Sequence, residues 1–157
     1  MLPFRFLKNK KRNGLQLLLD DICITTSYPE KLTVKIYFFP GLMRGPPLAF
    51  CACSAKTIFM QNWLLDHADD ELIKFILCHE LGHIAHNHSN KYFGPCLAGE
   101  YEADSFAASI MGIEAGVSAL KKTRGLIDMK YIACPPELLM PAFLEIDLRI
   151  RHLTPLA

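Results

Sequence analysis

The sequence predicts an α+β fold: a small mixed β-sheet packed on two helices that carry chemistry, with further helices toward the C-terminus. Three observations predict it. Residues 31–39 are rich in β-branched and aromatic residues in alternating order, and 48–60 reads as one strand or a hairpin. From residue 66 onward, apolar residues recur at helical spacing. The chain of 157 residues has the length of one domain with a single core.

Composition narrows the classes. Hydrophobic residues are 51% and charged residues 21%, which is globular and not disordered. The formal net charge of +1 names no partner, and no basic surface is interleaved with aromatics, so no nucleic-acid partner is expected. No apolar run reaches the length a bilayer requires. The opening "MLPFRFLKNKKRNG" lacks the apolar core and cleavage site of a secretion signal, so a cytoplasmic location is expected. The cysteines at 23, 51, 53, 78, 96 and 134 therefore read as reduced thiols and not as a disulfide framework.

The elements follow in order. Residues 1–14 form a basic arm with Arg5, Lys8, Lys10, Lys11 and Arg12, expected to be a solvated terminus that makes at most weak contact with a membrane surface. Residues 15–157 form the single domain. "LQLLLDDICI" (15–24) is too short an apolar run to separate helix from strand. "KLTVKIYFF" (31–39) is a strand, "PGLMRGPP" (40–47) a loop, and "LAFCACSAKTIFM" (48–60) one strand or a hairpin. A long helix is predicted over 66–88, with Asp69 or Asp70 as N-cap. Helices follow over about 97–112 and 114–127. The segment 134–141 is irregular or a short helix between prolines, and 142–153 is a closing helix.

The segment "CHELGHIAHNH" (78–88) holds four of the six histidines. His79 and His83 are four apart, so on a helix their imidazoles share a face one turn apart and can reach one ion. Glu80 is turned about 100° around the axis, where it can serve water without ligating the metal. This is the HExxH arrangement of zinc hydrolases. The five residues alone also suit an ordinary buried helix, so a third ligand is required. The pattern with a histidine six residues past His83 is excluded, because position 89 is Ser89. His86 returns near the same face but lies almost a further turn along. Glu100, in "EYEAD" (100–104), is the favoured candidate. Asp104 shares its face and can accept a hydrogen bond from the second nitrogen of a ligand histidine. Glu102 points away from that pair. Ala98, Gly99 and Ala103 are small enough to let two helices approach.

"CHELGH" followed by "EYEADSFA" resembles the gluzincin metallopeptidases of the HtpX and CAAX-prenyl-protease type, whose pattern is HExxH and then ExxxD on a later helix. The likeness runs from about Leu48 to Leu153, where "DLRIRHL" resembles the family's arginine-containing closing helix. It implies a soluble, minimal zincin-like domain with one Zn2+ per chain. It also implies His79, His83 and Glu100 as ligands, Glu80 as general base and Asp104 behind a ligand histidine.

The expected activity is a zinc-dependent endopeptidase, in which Glu80 assists attack of a zinc-bound water on a peptide bond. An oxyanion also needs a donor from the chain, and His152, Tyr131, Arg149 and His86 are the candidates. A peptide or protein substrate would pair in extended form with an exposed strand, for which Leu48, Ala49, Phe50 and Cys51 are the expected edge. Two alternatives accompany this reading. "EYEADSFAAS" is also similar to the ImmA/IrrE-type peptidases, which cleave a specific regulatory protein, although "ELLMP" arrives later here than in that group. The other is a non-catalytic, metal-bound interaction module, against which an intact Glu80 argues.

Overall fold

The computed structural model describes residues 4–37, 48–88, 97–130 and 136–154, with the backbone alone described for 4–12 and 136–139. The fold is α+β, as predicted: the described residues form a three-stranded mixed sheet and six helices. Helix α1 (Phe4–Thr25) leads into β1 (Thr33–Tyr37). Strands β2 (Ala49–Ala52) and β3 (Thr57–Gln61) are joined by a short 3-10 turn, Cys53–Ala55. Then come α2 (Asn62–His67), α3 (Asp70–Ala85), α4 (Leu97–Met111), α5 (Ile113–Lys130) and α6 (Pro136–Leu153). No described helix is long and apolar enough to cross a membrane.

The segment 15–24, undecided from its apolar spacing, lies within α1, where Leu15, Leu19 and Ile22 face the core. The helix is continuous through residue 14, where the basic arm is expected to end. Strand β3 is central. It runs parallel to β1 and antiparallel to β2, so β2 lies at one edge of the sheet. The central position accounts for its burial, with Thr57, Ile58, Met60 and Gln61 all inside. Residues 48–60 are thus a hairpin, turned by the 3-10 segment and by Lys56 in the left-handed region at φ 47°.

Helix α3 is the middle of the molecule. Leu72, Phe75, Leu77, Cys78 and Leu81 on different sides of it are all buried, as a helix packed on several faces requires. Its start is set by Asp69, whose side chain accepts the Leu72 backbone N–H at 2.8 Å. The expected helix over 66–88 is therefore two: α2 closes at His67, and α3 begins after its cap. Its other end is a Schellman stop. Asn87 takes φ 53°, and its N–H reaches the Ile84 carbonyl at 3.1 Å while the His88 N–H reaches the His83 carbonyl at 2.9 Å.

Helix α4 lies close against α3. A Cβ added at Gly82 would stand 3.0 Å from the Ala103 Cα and 3.1 Å from the Phe106 Cβ. This near-contact of backbones brings side chains of α4 over the histidine face of α3. Helix α6 absorbs residues 136–141 of the expected proline-flanked segment together with the closing helix, running through Pro141, while 134 and 135 lie outside the described residues. The ring there removes one backbone N–H from the early turns, yet the helix continues.

Candidate metal centre

His79 and His83 project from the second half of α3, one turn apart, and Glu100 reaches them from the first turn of α4. The His79 and His83 Nε2 atoms are 3.0 Å apart. The Glu100 carboxylate oxygens lie 3.3 Å from the first and 3.4 Å from the second. Ligand atoms of these three residues all fall within 4.8 Å of one another. Zinc bound tetrahedrally at about 2.0–2.1 Å separates its ligand atoms by about 3.3 Å, so the triangle has the size such an ion needs. Two imidazoles and a carboxylate are also the donor chemistry that zinc accepts while leaving a position open.

The chain supports the triangle from behind. Asp104, one turn after Glu100 and fully buried, hydrogen-bonds His79 Nδ1 at 2.8 Å. Arg149 of α6 holds Asp104 with two bonds, Nε to Oδ2 at 2.7 Å and Nη2 to Oδ1 at 2.8 Å. Its Nη1 reaches Glu100 at 2.9 Å and Glu145 at 3.6 Å. His83 is supported differently. Its Nδ1 meets Nδ1 of His88 at 2.8 Å, and His88 Nε2 meets Glu102 at 2.7 Å.

The electrostatics follow from crowding. Burial works against a charge on His79, but its hydrogen bonds to Asp104 and Glu100 outweigh that and hold its pKa up to about 9. Burial likewise opposes the Glu100 carboxylate, yet bonds from His79 and His83 keep it well below the usual carboxylate range. Glu80 is buried, and burial raises its carboxyl against the lowering pull of His79 and His83. The Cys51 thiol hydrogen-bonds Glu80, and burial, then the negative Glu80, push that thiol far up. Three carboxyl groups, Glu80, Glu100 and Asp104, thus crowd the two histidines, and Arg149 pairs with the last two of them, a balance that favours a bound dication.

The structure brings His79, His83, Glu100 and Asp104 together and places Glu80 on the same helix, facing Cys51 of the edge strand β2. Ala49 and Cys51 are the residues of that edge paired across from Met60 and Ile58, and Phe50 stacks on Phe59 at 4.8 Å. Leu48 lies just ahead of β2, with its carbonyl accepting the Gln61 N–H at 2.9 Å. The candidate oxyanion donors are dispersed. Arg149 is engaged by Asp104 and Glu100. His86 turns back to the Gly82 carbonyl at 2.9 Å, away from the triangle. His152 is exposed and stacks on Tyr101 at 4.2 Å. These last two line an open cavity of about 530 Å³ on the outer side of α4. Tyr131 lies outside the described residues, as does Cys96. Cys78 is fully buried core.

Two features escaped the sequence reading. His88 stands beside His83, and Glu102, read as pointing away, is its partner. The available signal was Asn87, a residue suited to the left-handed turn that folds His88 back. The service of Arg149 to Asp104 was the other, and the separation of those two residues along the chain left no local signal.

Two family models match the chain. Peptidase family M48 matches residues 19–95, from α1 past the histidines of α3. Peptidase U49 matches residues 71–134, taking in α3, Glu100 and Asp104. Each covers less than half of the chain. No curated protein and no solved structure matches it significantly. The two matches overlap on the stretch that carries His79, Glu80 and His83, and together they support a metallopeptidase family for this chain.

Proposed function

We propose that the protein is a zinc-dependent endopeptidase of the gluzincin type, with His79, His83 and Glu100 holding one Zn2+. The observation that carries this reading is the triangle of two imidazole nitrogens and a carboxylate beside a buried glutamate. Bound zinc supplies Lewis acidity, polarising a peptide carbonyl and making water a better nucleophile at neutral pH. Glu80 accepts the proton from the attacking water and passes it to the leaving amine. Asp104 fixes the ring of His79 through Nδ1, and Arg149 fixes Asp104. An extended peptide substrate lies along the open edge of β2, where Cys51 is next to Glu80. Among the described residues Cys23, Cys51, Cys53 and Cys78 form no disulfide, which suits the reducing cytoplasm as the compartment.

The test is metal content and peptide hydrolysis on three purified proteins: wild type, Glu100→Ala and Glu80→Gln. About one zinc per chain is expected in wild type and in Glu80→Gln, with sharply less in Glu100→Ala. Hydrolysis is expected from wild type alone. Zinc retained in Glu100→Ala, or wild-type hydrolysis by Glu80→Gln, would overturn the assignment of that residue.

A further inference from the structure

The stop of α3 brings a residue beside the metal triangle that the proposed mechanism does not use. In a Schellman motif, the residue two beyond the cap folds back beside the residue three before it, and an apolar contact often joins them. Here His86 is the cap, so the two residues that meet are His88 and His83. Both are histidines, and their Nδ1 atoms are 2.8 Å apart. The backbone of His88 is held on both sides. The His88 N–H is held by the His83 carbonyl at 2.9 Å, and the His88 carbonyl accepts the Cys53 thiol at 3.0 Å. The ring packs against the backbone of Gly99, where a Cβ would stand 3.5 Å from its Nδ1.

Proton polarity gives the contact a direction. A neutral imidazole that gives Nε2 to a metal carries its proton on Nδ1. His83 then donates from Nδ1, and His88 must accept on its own Nδ1. The proton of His88 is thereby placed on Nε2, where it donates to Glu102 at 2.7 Å. Every nitrogen in the row has one role, and the row ends on a carboxylate.

We infer that His88 is a positioning residue for zinc: the helix stop of α3 supplies the hydrogen-bond acceptor that orients His83. This rests on the metal-centre reading above and adds a residue to it. His88 does for His83 what Asp104 does for His79, through an imidazole in place of a buried carboxylate.

Two substitutions separate this role from a merely structural one. His88→Leu keeps an apolar partner for the helix stop and removes the acceptor. His88→Asn places an amide oxygen close to where Nδ1 stood and gives up apolar contact. The zinc dissociation constant of the full chain is measured by competition with a chromophoric chelator, and the metal-free proteins are melted alongside. His88→Leu is expected to weaken zinc about ten- to a hundredfold without lowering the melting temperature, while His88→Asn stays within a few-fold of wild type. Should His88→Leu not fold, His88→Ala is compared with His88→Asn in its place. Zinc bound by the apolar variant as tightly as by wild type would overturn the inference, and so would equal loss in both variants. A wild-type chain that takes up no zinc sinks the metal-centre reading itself and this inference with it. Wild-type binding unaffected by the apolar change sinks the inference alone.

Discussion

His79 and His83 lie one turn apart on the same helix and point their Nε2 atoms at the same place, but what stands behind them differs. Behind His79 is a largely buried ion cluster: Asp104 is 0% exposed, and Arg149, itself only 13% exposed, grips it with two bonds. Behind His83 is a row that runs outward, through His88 to Glu102, whose side chain is 58% exposed. In the first, charges are held where solvent cannot replace a lost partner. In the second, water can stand in for Glu102 at small cost. The inner support therefore belongs to the stability of the fold as well as to the site, and the outer support belongs to the site alone.

Asp104→Ala tests the inner side and carries the largest expected effect. It leaves the guanidinium of Arg149 in a buried place with Glu100 and Glu145 as its remaining carboxylates. A loss of about 3 kcal/mol is expected in the metal-free protein, the low end for breaking a buried pair, because those two carboxylates persist. Urea unfolding checks it. A loss below about 1 kcal/mol would make the inner cluster no more structural than the outer row, and the contrast would fall.

Gly82→Ala strikes both sides at once. Alanine is the better helix former by about 1 kcal/mol. Its Cβ, however, meets the Ala103 Cα at 3.0 Å, and a backbone atom cannot turn aside as a side chain can. The strain of such overpacking is about 1–3 kcal/mol, so after the helix gain the net result is destabilisation of up to about 2 kcal/mol. Because α4 carries Glu100, Glu102 and Asp104, pushing it away weakens zinc binding together with stability. Unfolding and zinc competition on the same sample read both. A stable variant with wild-type zinc affinity would show that the helices have room to part.

What the sequence discloses divides along the same line. Spacing within one helix was legible, because four residues make one turn: His79 with His83, and Glu100 with Asp104, share faces for that reason alone. Strand character in 31–39 and 48–60 was legible too, but whether 48–60 formed one strand or a hairpin stayed open until the turn at Cys53–Ala55 was seen. The partnership of Arg149 with Asp104 was not legible, since it depends on how α6 crosses α4, and no period encodes a crossing. His88 was missed for a subtler reason. A helix drawn on to residue 88 would point it elsewhere, and only the left-handed Asn87 reverses the chain and returns it to His83. The continuous helix expected over 66–88 hid that turn at one end and the break between α2 and α3 at the other, although the cap that starts α3, Asp69, was among the expected ones.

That cap gives the smallest effect and extends the contrast from the site to the two ends of the helix. Asp69 is exposed; it accepts the Leu72 N–H at 2.8 Å and pairs with Lys122 at 2.8 Å. Replacing a capping residue by alanine costs about 1 kcal/mol, a fraction of the loss expected at buried Asp104. The bond to Lys122, and after it the Leu72 N–H, hold the Asp69 carboxyl below its ordinary 3.8. A carboxyl depressed on folding stabilises fully above its unfolded value, and that share is lost as pH falls through the folded one. The advantage of wild type over Asp69→Ala is therefore constant near neutrality and shrinks as pH drops below 3.8. Urea midpoints for the two proteins across an acid series measure it. An advantage that grows in acid would mean that the cap works through something other than its charge, and exposure would no longer explain why this end is the cheaper one to lose.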